Sequence, residues 1–216
     1  VCGPDTAAAR RAQSVTEPVM TDRIVLATRN PHKIEEVRRI LVDAGLAIDM
    51  VELPSDAPEV AETESTFAGN ALLKARAIAQ ATGLPTIADD SGLCVDALNG
   101  MPGVLSARWA GRHGDDEANL ALVLAQMLDV PEHRRGAQFI CAAAWVVPGS
   151  HEHVVEGALE GSLLREARGS HGFGYDPIFC PDGMAVSVAQ LQPGEKDAIS
   201  HRGRAFRTLA AMMGSR

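Results

Sequence analysis

Apolar residues recur along this chain in two patterns, one typical of buried strands and one of amphipathic helices. Strands are predicted at residues 23–28, 46–53, 84–89, 92–98, 137–147 and 153–161. Helices are predicted at residues 31–45, 66–83, 115–129 and 200–213. Strands that alternate with helices predict an α/β fold, with a mixed central sheet flanked by helices.

The first 22 residues follow neither pattern. They are small and polar, and they predict a disordered extension that precedes the fold. Residues 23–214 contain no recognisable linker or repeat, so they are predicted to form a single domain. The chain is long enough for two lobes around a sizeable core, with a cleft between the lobes.

The composition is that of an ordinary globular protein, with 46% hydrophobic and 22% charged residues. No apolar run approaches the roughly 20 residues of a membrane-spanning helix, so no membrane association is expected. The net charge of −8 argues against a general nucleic-acid-binding protein, because such proteins usually carry a basic face. The four cysteines are widely scattered, which favours free thiols in a reducing compartment and predicts a cytoplasmic protein.

Two adjacent aspartates, Asp89 and Asp90, end an apolar run and are followed by Ser91 and Gly92. These residue types are common in turns, but a metal or catalytic site at the carboxyl end of a strand would also explain them. Consecutive side chains of an extended segment point to opposite sides. We therefore expect one aspartate to face the cleft as metal ligand and base, and the other to face back as support.

Cations lie at the predicted start of a helix, where the helix dipole disfavours them. In TRNPHK, Asn30 is a suitable N-cap and Pro31 a suitable first residue, so Lys33 falls in the first turn. A bound anion would explain this arrangement, with Thr28, Asn30 and Lys33 converging on it. A capped helix with a solvated lysine explains it equally well.

The same anomaly recurs near the end of the chain. Ser200 is a predicted N-cap, which places His201 and Arg202 in the first turn of the last helix, just after Lys196. Two such violations in one acidic chain indicate a functional site. Of the 20 Lys and Arg residues, only Lys33, Lys74 and Lys196 are lysines, whose compact charge suits phosphate oxygens.

An acidic loop and an aromatic segment complete the candidate chemistry. The loop DAPEVAETES (56–65) could supply a glutamate that binds Mg²⁺ together with an aspartate of the pair, although acids before a helix also have a plain electrostatic explanation. The segment HGFGYDPIF (171–179) concentrates aromatic residues in a chain that is 4% aromatic. It predicts either a buried strand after a turn or an exposed platform on which a nucleobase stacks.

These segments resemble a known family. TRNPHK, the acidic loop, ADDSGL, GMPGVLSARWAG, GFGYDPIF and EKDAISHRG occur in the order seen in the inosine triphosphate pyrophosphatase family, over about residues 23–213. The resemblance implies that the chain hydrolyses ITP, dITP and XTP to the monophosphate and pyrophosphate. It also implies a Mg²⁺ cofactor, a purine nucleoside triphosphate as substrate, and a homodimer.

The resemblance further implies a role for individual residues. Asp90 matches the catalytic aspartate and metal ligand, and Glu62 matches the magnesium glutamate. The other matched residues, all implied substrate contacts, are Thr28, Asn30, Lys33, Ser91, Phe173, Gly174, Tyr175, Asp176, Lys196, His201 and Arg202. Lys74 matches a helix lysine of less certain role. Glu64 stands where many members have glycine, so it competes with Glu62 for the metal.

Three other functions are weighed against this one. The first is a pyrophosphatase of the same fold that acts on other modified or pyrimidine nucleotides. The second is an aspartyl-nucleophile phosphatase, which the adjacency of Asp89 and Asp90 disfavours because such enzymes use a spaced D-x-D. The third is a non-catalytic nucleotide sensor, which nothing in the sequence contradicts.

Overall fold

The computed structural model describes residues 23–46 and 48–214, so the predicted extension at 1–22 lies outside the described residues. The strands are β1 (Arg23–Leu26), β2 (Asp49–Val51), β3 (Thr86–Val95), β4 (Gly136–Val147), β5 (His151–Leu163) and β6 (Phe179–Pro181). The helices are α1 (Pro31–Asp43), α2 (Phe67–Thr82), α3 (Asp116–Gln126), α4 (Pro193–Ile199) and α5 (His201–Gly214). Among the described residues, no helix is long and apolar enough to span a bilayer.

The six strands form one mixed sheet, as predicted, in the order β2-β1-β3-β4-β5-β6. β1 runs parallel to β2 and β3, whereas β3, β4, β5 and β6 pair antiparallel with their neighbours. β4 and β5 form the predicted hairpin, which is longer at both ends than its sequence pattern indicated.

Alternate residues of the strands pack into separate hydrophobic clusters on the two faces of the sheet. Ile24, Leu26 and Ile87 join the cluster under α1 and α5, whereas Val25 and Ala88 join the cluster under α2. This alternation follows from the two-residue period of an extended chain. Helices cover both faces, so the central strands read as continuous apolar runs.

A third hydrophobic cluster lies at the other end of the long strands and forms the second lobe. It joins Leu93 and Val95 of β3 to Phe139 of β4, Leu159 of β5 and Val123 of α3. The three strands β3, β4 and β5 therefore pass through both lobes, and the two-lobed α/β fold predicted from the sequence is confirmed.

The main error of the sequence-based prediction concerns the aspartate pair. Instead of two strands at 84–89 and 92–98 with a turn between them, β3 is continuous, and Asp89 and Asp90 pair with Ala143 and Ala142 of β4 in its middle. The local preference of Asp, Ser and Gly for turns is overridden because every residue of β3 finds a partner on β4. The pair is thus not at the carboxyl end of a strand.

The remaining differences concern element boundaries and one short helix. β2 contains only three residues of the predicted strand 46–53, and α4 was not predicted. A helix of seven residues is too short to show an apolar period. The predicted N-cap of the last helix is confirmed, because Ser200 Oγ accepts a hydrogen bond of 2.9 Å from the Gly203 amide.

Candidate active site

A cavity of about 570 Å³ opens between the lobes, and its lining contains every site residue predicted from the sequence. The loop between β1 and α1, the middle of β3, the loop before α2, the 173–176 segment and the α4–α5 junction each contribute to its wall. Glu64 is exposed and is not part of this lining, whereas Glu62 and Glu59 of the same loop are.

Asp90 and Glu62 face each other across the amino group of Lys74. Lys74 Nζ donates hydrogen bonds of 2.9 Å to Glu62 Oε1 and 3.0 Å to Asp90 Oδ1. The second oxygen of Asp90 accepts from Asn70 Nδ2 at 3.2 Å, and the second oxygen of Glu62 accepts from Arg108 at 2.8 Å. Lys74 therefore holds the two carboxylates together, a role that its sequence match did not specify.

The two carboxyl groups have opposite pKa shifts. Burial raises the pKa of Asp90 to about 6, a rise that Glu62 reinforces and Lys74 opposes. Burial would also raise the pKa of Glu62, but Lys74 and Arg108 outweigh it and lower that pKa to about 2. Burial would lower the pKa of Lys74, but its carboxylate neighbours raise it, so the amine stays protonated.

This group of residues has the donor chemistry that suits Mg²⁺. The oxygens of Asp90 and Glu62 are hard ligands that already lie around one cation, the Lys74 ammonium. Among the described residues, no group of three or more acidic, His or Cys side chains could hold a metal. A Mg²⁺ ion held by these two carboxylates would complete its shell with water and phosphate oxygens, as this ion usually does.

Asp89 has a different environment on the opposite side of β3. Its Oδ2 accepts from Lys33 Nζ at 2.9 Å and from Ser91 Oγ at 3.2 Å, and it lies 3.5 Å from the Arg202 guanidinium. Burial would raise the pKa of Asp89, but Lys33 and Arg202 hold it well below its ordinary value. Asp89 and Asp90 thus lie on opposite sides of β3 as predicted, but both line the cavity, so the expectation that one of them faces away from it is wrong.

The first turn of α1 has the predicted capping geometry. Asn30 Oδ1 accepts from the amides of His32 at 2.9 Å and Lys33 at 3.4 Å, and Thr28 Oγ1 accepts from the Asn30 amide at 3.2 Å. The amino group of Lys33 reaches Asp89 instead of extending into solvent. The helix start and the Lys33 charge therefore face the same cavity.

A second, buried charge network links α1 to the α4–α5 junction. Lys196 Nζ donates hydrogen bonds of 2.6 Å to both Glu36 Oε1 and Asp176 Oδ2. Arg202 donates to the other oxygen of Glu36 and, at 2.8 Å, to Ser91 Oγ. Burial would raise the pKa of Glu36, but Arg202 and Lys196 lower it, whereas burial raises the pKa of Asp176.

The aromatic segment divides between the cavity and the core. Phe173 is partly exposed at the cavity, but Tyr175 and Phe179 are buried in the second-lobe cluster, where the Tyr175 hydroxyl donates to the Ser106 carbonyl at 2.8 Å. The Gly172 backbone approaches Asp176 so closely that a Cβ would lie 2.0 Å from its Oδ2. The buried part of the sequence interpretation therefore holds for Tyr175 and Phe179, whereas Phe173 is partly exposed and stays the predicted platform.

Three buried polar atoms around the cavity have no hydrogen-bond partner among the described residues. They are Asp89 Oδ1, His201 Nδ1 and Arg202 Nε. Buried polar groups are normally paired, so these atoms indicate a polar ligand. Burial lowers the pKa of His201 well below its ordinary value, and its neutral ring stacks on Phe139 with centroids 4.8 Å apart.

Sequence reasoning missed several residues around the site, among them Asn70, Glu36 and Arg108. Glu36 could have been noticed as a carboxylate beside Val37, on the predicted apolar face of α1, three residues after Lys33. Arg108 gave no signal beyond its place in GMPGVLSARWAG, because its contact with Glu62 joins segments 46 residues apart.

Comparison with known proteins agrees with this geometry. A family model described as the Ham1 family matches residues 24–212, which include the whole cavity lining. The chain belongs to the Ham1 family. A dITP/XTP pyrophosphatase of Streptomyces coelicolor is 58% identical over 193 residues, which cover 88% of this chain and 96% of that relative.

Solved structures of Ham1 relatives have the same fold. The nucleoside-triphosphatase, or dITP/XTP pyrophosphatase, of Mycobacterium abscessus has a TM-score of 0.71 at 55% identity, covering 87% of this chain and 98% of that one. A HAM1 protein of Coxiella burnetii has a TM-score of 0.81 at 40% identity, covering 90% and 99%. The family resemblance seen in the sequence motifs is thereby confirmed.

Proposed function

We propose that this Ham1 protein hydrolyses the purine nucleoside triphosphates ITP, dITP and XTP to the nucleoside monophosphate and pyrophosphate. The observation that carries the proposal is a single cavity that joins a carboxylate pair, a group of cations and a partly exposed aromatic ring, Phe173. The names of the relatives, dITP/XTP pyrophosphatases, support the same substrate class. Such an enzyme would remove non-canonical purine nucleotides from the nucleotide pool.

Asp90 is the proposed general base. Its carboxylate accepts a proton from a water molecule whose oxygen forms a bond to the α-phosphorus, while the bond from that phosphorus to the β-phosphate oxygen breaks and pyrophosphate leaves. In the metal-free site its pKa is about 6, and a bound Mg²⁺ would lower it, so the carboxylate would be ionised and able to accept this proton at neutral pH. Burial and the neighbouring Glu62 produce that raised pKa.

Glu62 and Asp90 are the proposed ligands of Mg²⁺, and Lys33, Lys196 and Arg202 the proposed stabilisers of charge. When bound, Mg²⁺ supplies a Lewis acid for the phosphate oxygens. Lys33 and Arg202 are held by the ionised Asp89, so their positive charges are already oriented before substrate binds. Oriented charge of this kind stabilises the transition state without reorganisation. Thr28, Asn30 and Ser91 line the same wall as further triphosphate contacts.

Base selection is assigned to the α4–α5 junction and the 173–176 segment. The purine stacks on Phe173, with Gly174, Tyr175 and Asp176 around it. His201 lines the cavity with an unpaired Nδ1 that suits a polar edge of the purine. A site that hydrogen-bonds a 6-keto group leaves buried partners unpaired against a 6-amino purine, which gives strong discrimination.

The assembly and location of the protein are also part of this proposal. The family resemblance supports a homodimer, and the scattered cysteines, of which Cys94, Cys141 and Cys180 are free, support a reducing, cytoplasmic environment. Light scattering coupled to size-exclusion chromatography measures the subunit number, and a monomeric mass would contradict the homodimer.

A substrate panel tests the proposed reaction. The purified protein is incubated with ITP, dITP, XTP, GTP, ATP and dUTP, with and without Mg²⁺, and pyrophosphate and orthophosphate are measured separately. We expect pyrophosphate from the keto purines, loss of turnover on chelation and recovery with Mg²⁺. Orthophosphate as first product would indicate a phosphatase, and binding without turnover would indicate a sensor.

A further inference from the structure

His32 stacks on Phe173, although the two residues come from distant parts of the chain. Their ring centroids lie 5.4 Å apart and their planes differ by 13°. His32 belongs to the first turn of α1, whereas Phe173 belongs to the segment between β5 and β6. The stack therefore connects the turn that carries Asn30 and Lys33 to the proposed base platform.

The orientation of Phe173 depends on few neighbours. Within the described part of the chain, Phe173 belongs to none of the three hydrophobic clusters, and its flanking glycines, Gly172 and Gly174, have φ angles of +74° and +61°. Besides His32, Lys196 Nζ lies 4.9 Å and the Arg202 guanidinium carbon 5.6 Å from the ring centroid. His32 is exposed, whereas both cations are buried.

We infer that His32 is a positioning residue for nucleobase recognition, which acts by holding the Phe173 ring in place for the base. This inference rests on the proposed function. Because the backbone around Phe173 is rich in glycine, loss of the imidazole removes an aromatic contact that no packed core replaces. The same contact fixes the distance between the base platform and the α1 turn, so a base and a triphosphate bind together.

The inference predicts an effect that depends on the base. An aromatic stack contributes enough that His32→Ala should raise the KM for ITP about two- to tenfold. The kcat should stay within about twofold, because the carboxylates are untouched. Inhibition by inorganic tripolyphosphate, which has no base, should be unchanged. His32→Phe should retain the wild-type KM, since it keeps a stacking ring.

Two further variants separate positioning from a general effect on structure. His133→Ala removes another exposed histidine and serves as the matched control, with wild-type KM and melting temperature expected. In a Phe173→Leu background, His32→Ala should cause no further rise in KM, because the ring through which it acts is absent.

The outcomes that overturn the inference are distinct from failure of the proposed function. An unchanged or lower KM in His32→Ala, or an additive rise in the Phe173→Leu background, would reject positioning through Phe173. Equal weakening of ITP and tripolyphosphate would make His32 a phosphate contact instead. Failure of the wild-type protein to release pyrophosphate from ITP or XTP rejects the proposed function itself.

Discussion

Asp89 and Asp90 are neighbours on one strand and are almost equally buried, with 2% and 5% of their surface exposed, yet their pKa values shift in opposite directions. On the α1–α5 side, Lys33 and Arg202 offset the cost of burying Asp89 and keep it ionised. On the α2 side, Asp90 shares one lysine with Glu62, and burial prevails. The comparison shows that the number of cations per carboxylate, more than burial itself, decides whether the pKa of each aspartate falls or rises.

Exchanging each aspartate for asparagine is the strongest test of this comparison. Asp90→Asn should retain the fold and lower kcat for ITP by about 10²- to 10⁴-fold, since a general base is lost. Asp89→Asn should lower the melting temperature more and kcat less, because the part-buried Lys33 loses its carboxylate partner and the buried Arg202 loses one of two. Near-normal turnover of Asp90→Asn would mean that Asp90 is not the general base. Steady-state pyrophosphate release measures kcat, and thermal unfolding measures the melting temperature.

Glu36→Gln tests the charge network beyond Asp89. Removing one partner of a buried ion pair should reduce the free energy of unfolding by about 3–5 kcal/mol at neutral pH. The folded-state pKa of Glu36 is lowered, so its contribution is present above the unfolded pKa and is lost as pH falls through the folded value.

The difference in melting temperature between wild type and Glu36→Gln should therefore be large at pH 7 and shrink below about pH 4.3, the ordinary pKa of Glu. Thermal unfolding from pH 3 to pH 8 measures it. A constant difference across this range would mean that Glu36 acts through shape instead of charge. Glu35→Gln, an exposed neighbour on α1, is the matched control.

Substituting the lysines tests the side of β3 that faces α2. The sequence alone predicts a milder effect for Lys74→Ala than for Lys33→Ala or Lys196→Ala. The contacts of Lys74 with both Glu62 and Asp90 change that expectation. For Lys74→Ala we expect kcat to fall about tenfold or more, as for a lost charge-assisted hydrogen bond. Equal and small decreases in kcat in all three variants would indicate that none of the three lysines has a specific role in the reaction.

His201→Ala should have the smallest effect and a selective one. Loss of a hydrogen bond in the base site should lower kcat/KM for ITP about tenfold, and the value for ATP much less. The ratio of the two constants in both proteins is the measurement. A uniform decrease would assign His201 to phosphate binding or structure, and a wild-type preference for ATP would refute base recognition.

The sequence predicted those features whose signals are local. The strand and helix periods, the Asn30 cap and the Ser200 cap each depend on residues within one turn, and the structure has them. The continuous β3 was missed because its stability comes from pairing with β4, and the residues next to Asp89 in the sequence do not reveal that pairing. Lys74 and Glu36 were underestimated for the same reason, since their partners lie in distant segments.

The family motifs brought together residues that local patterns could not. The cavity lining unites Thr28, Glu62, Asp90, Phe173 and Arg202, which span most of the chain. By contrast, Tyr175 lies in the same motif as Phe173 but is buried in the second lobe. The local sequence could not show which of the two rings the second lobe encloses.

The passage of β3, β4 and β5 through both lobes has a mechanical consequence. A hinge between the lobes would have to bend three hydrogen-bonded strands at once, so we expect the shared sheet to resist movement of one lobe relative to the other. The sheet then keeps the spacing of the two lobes, and with it the width of the cavity between them, close to constant.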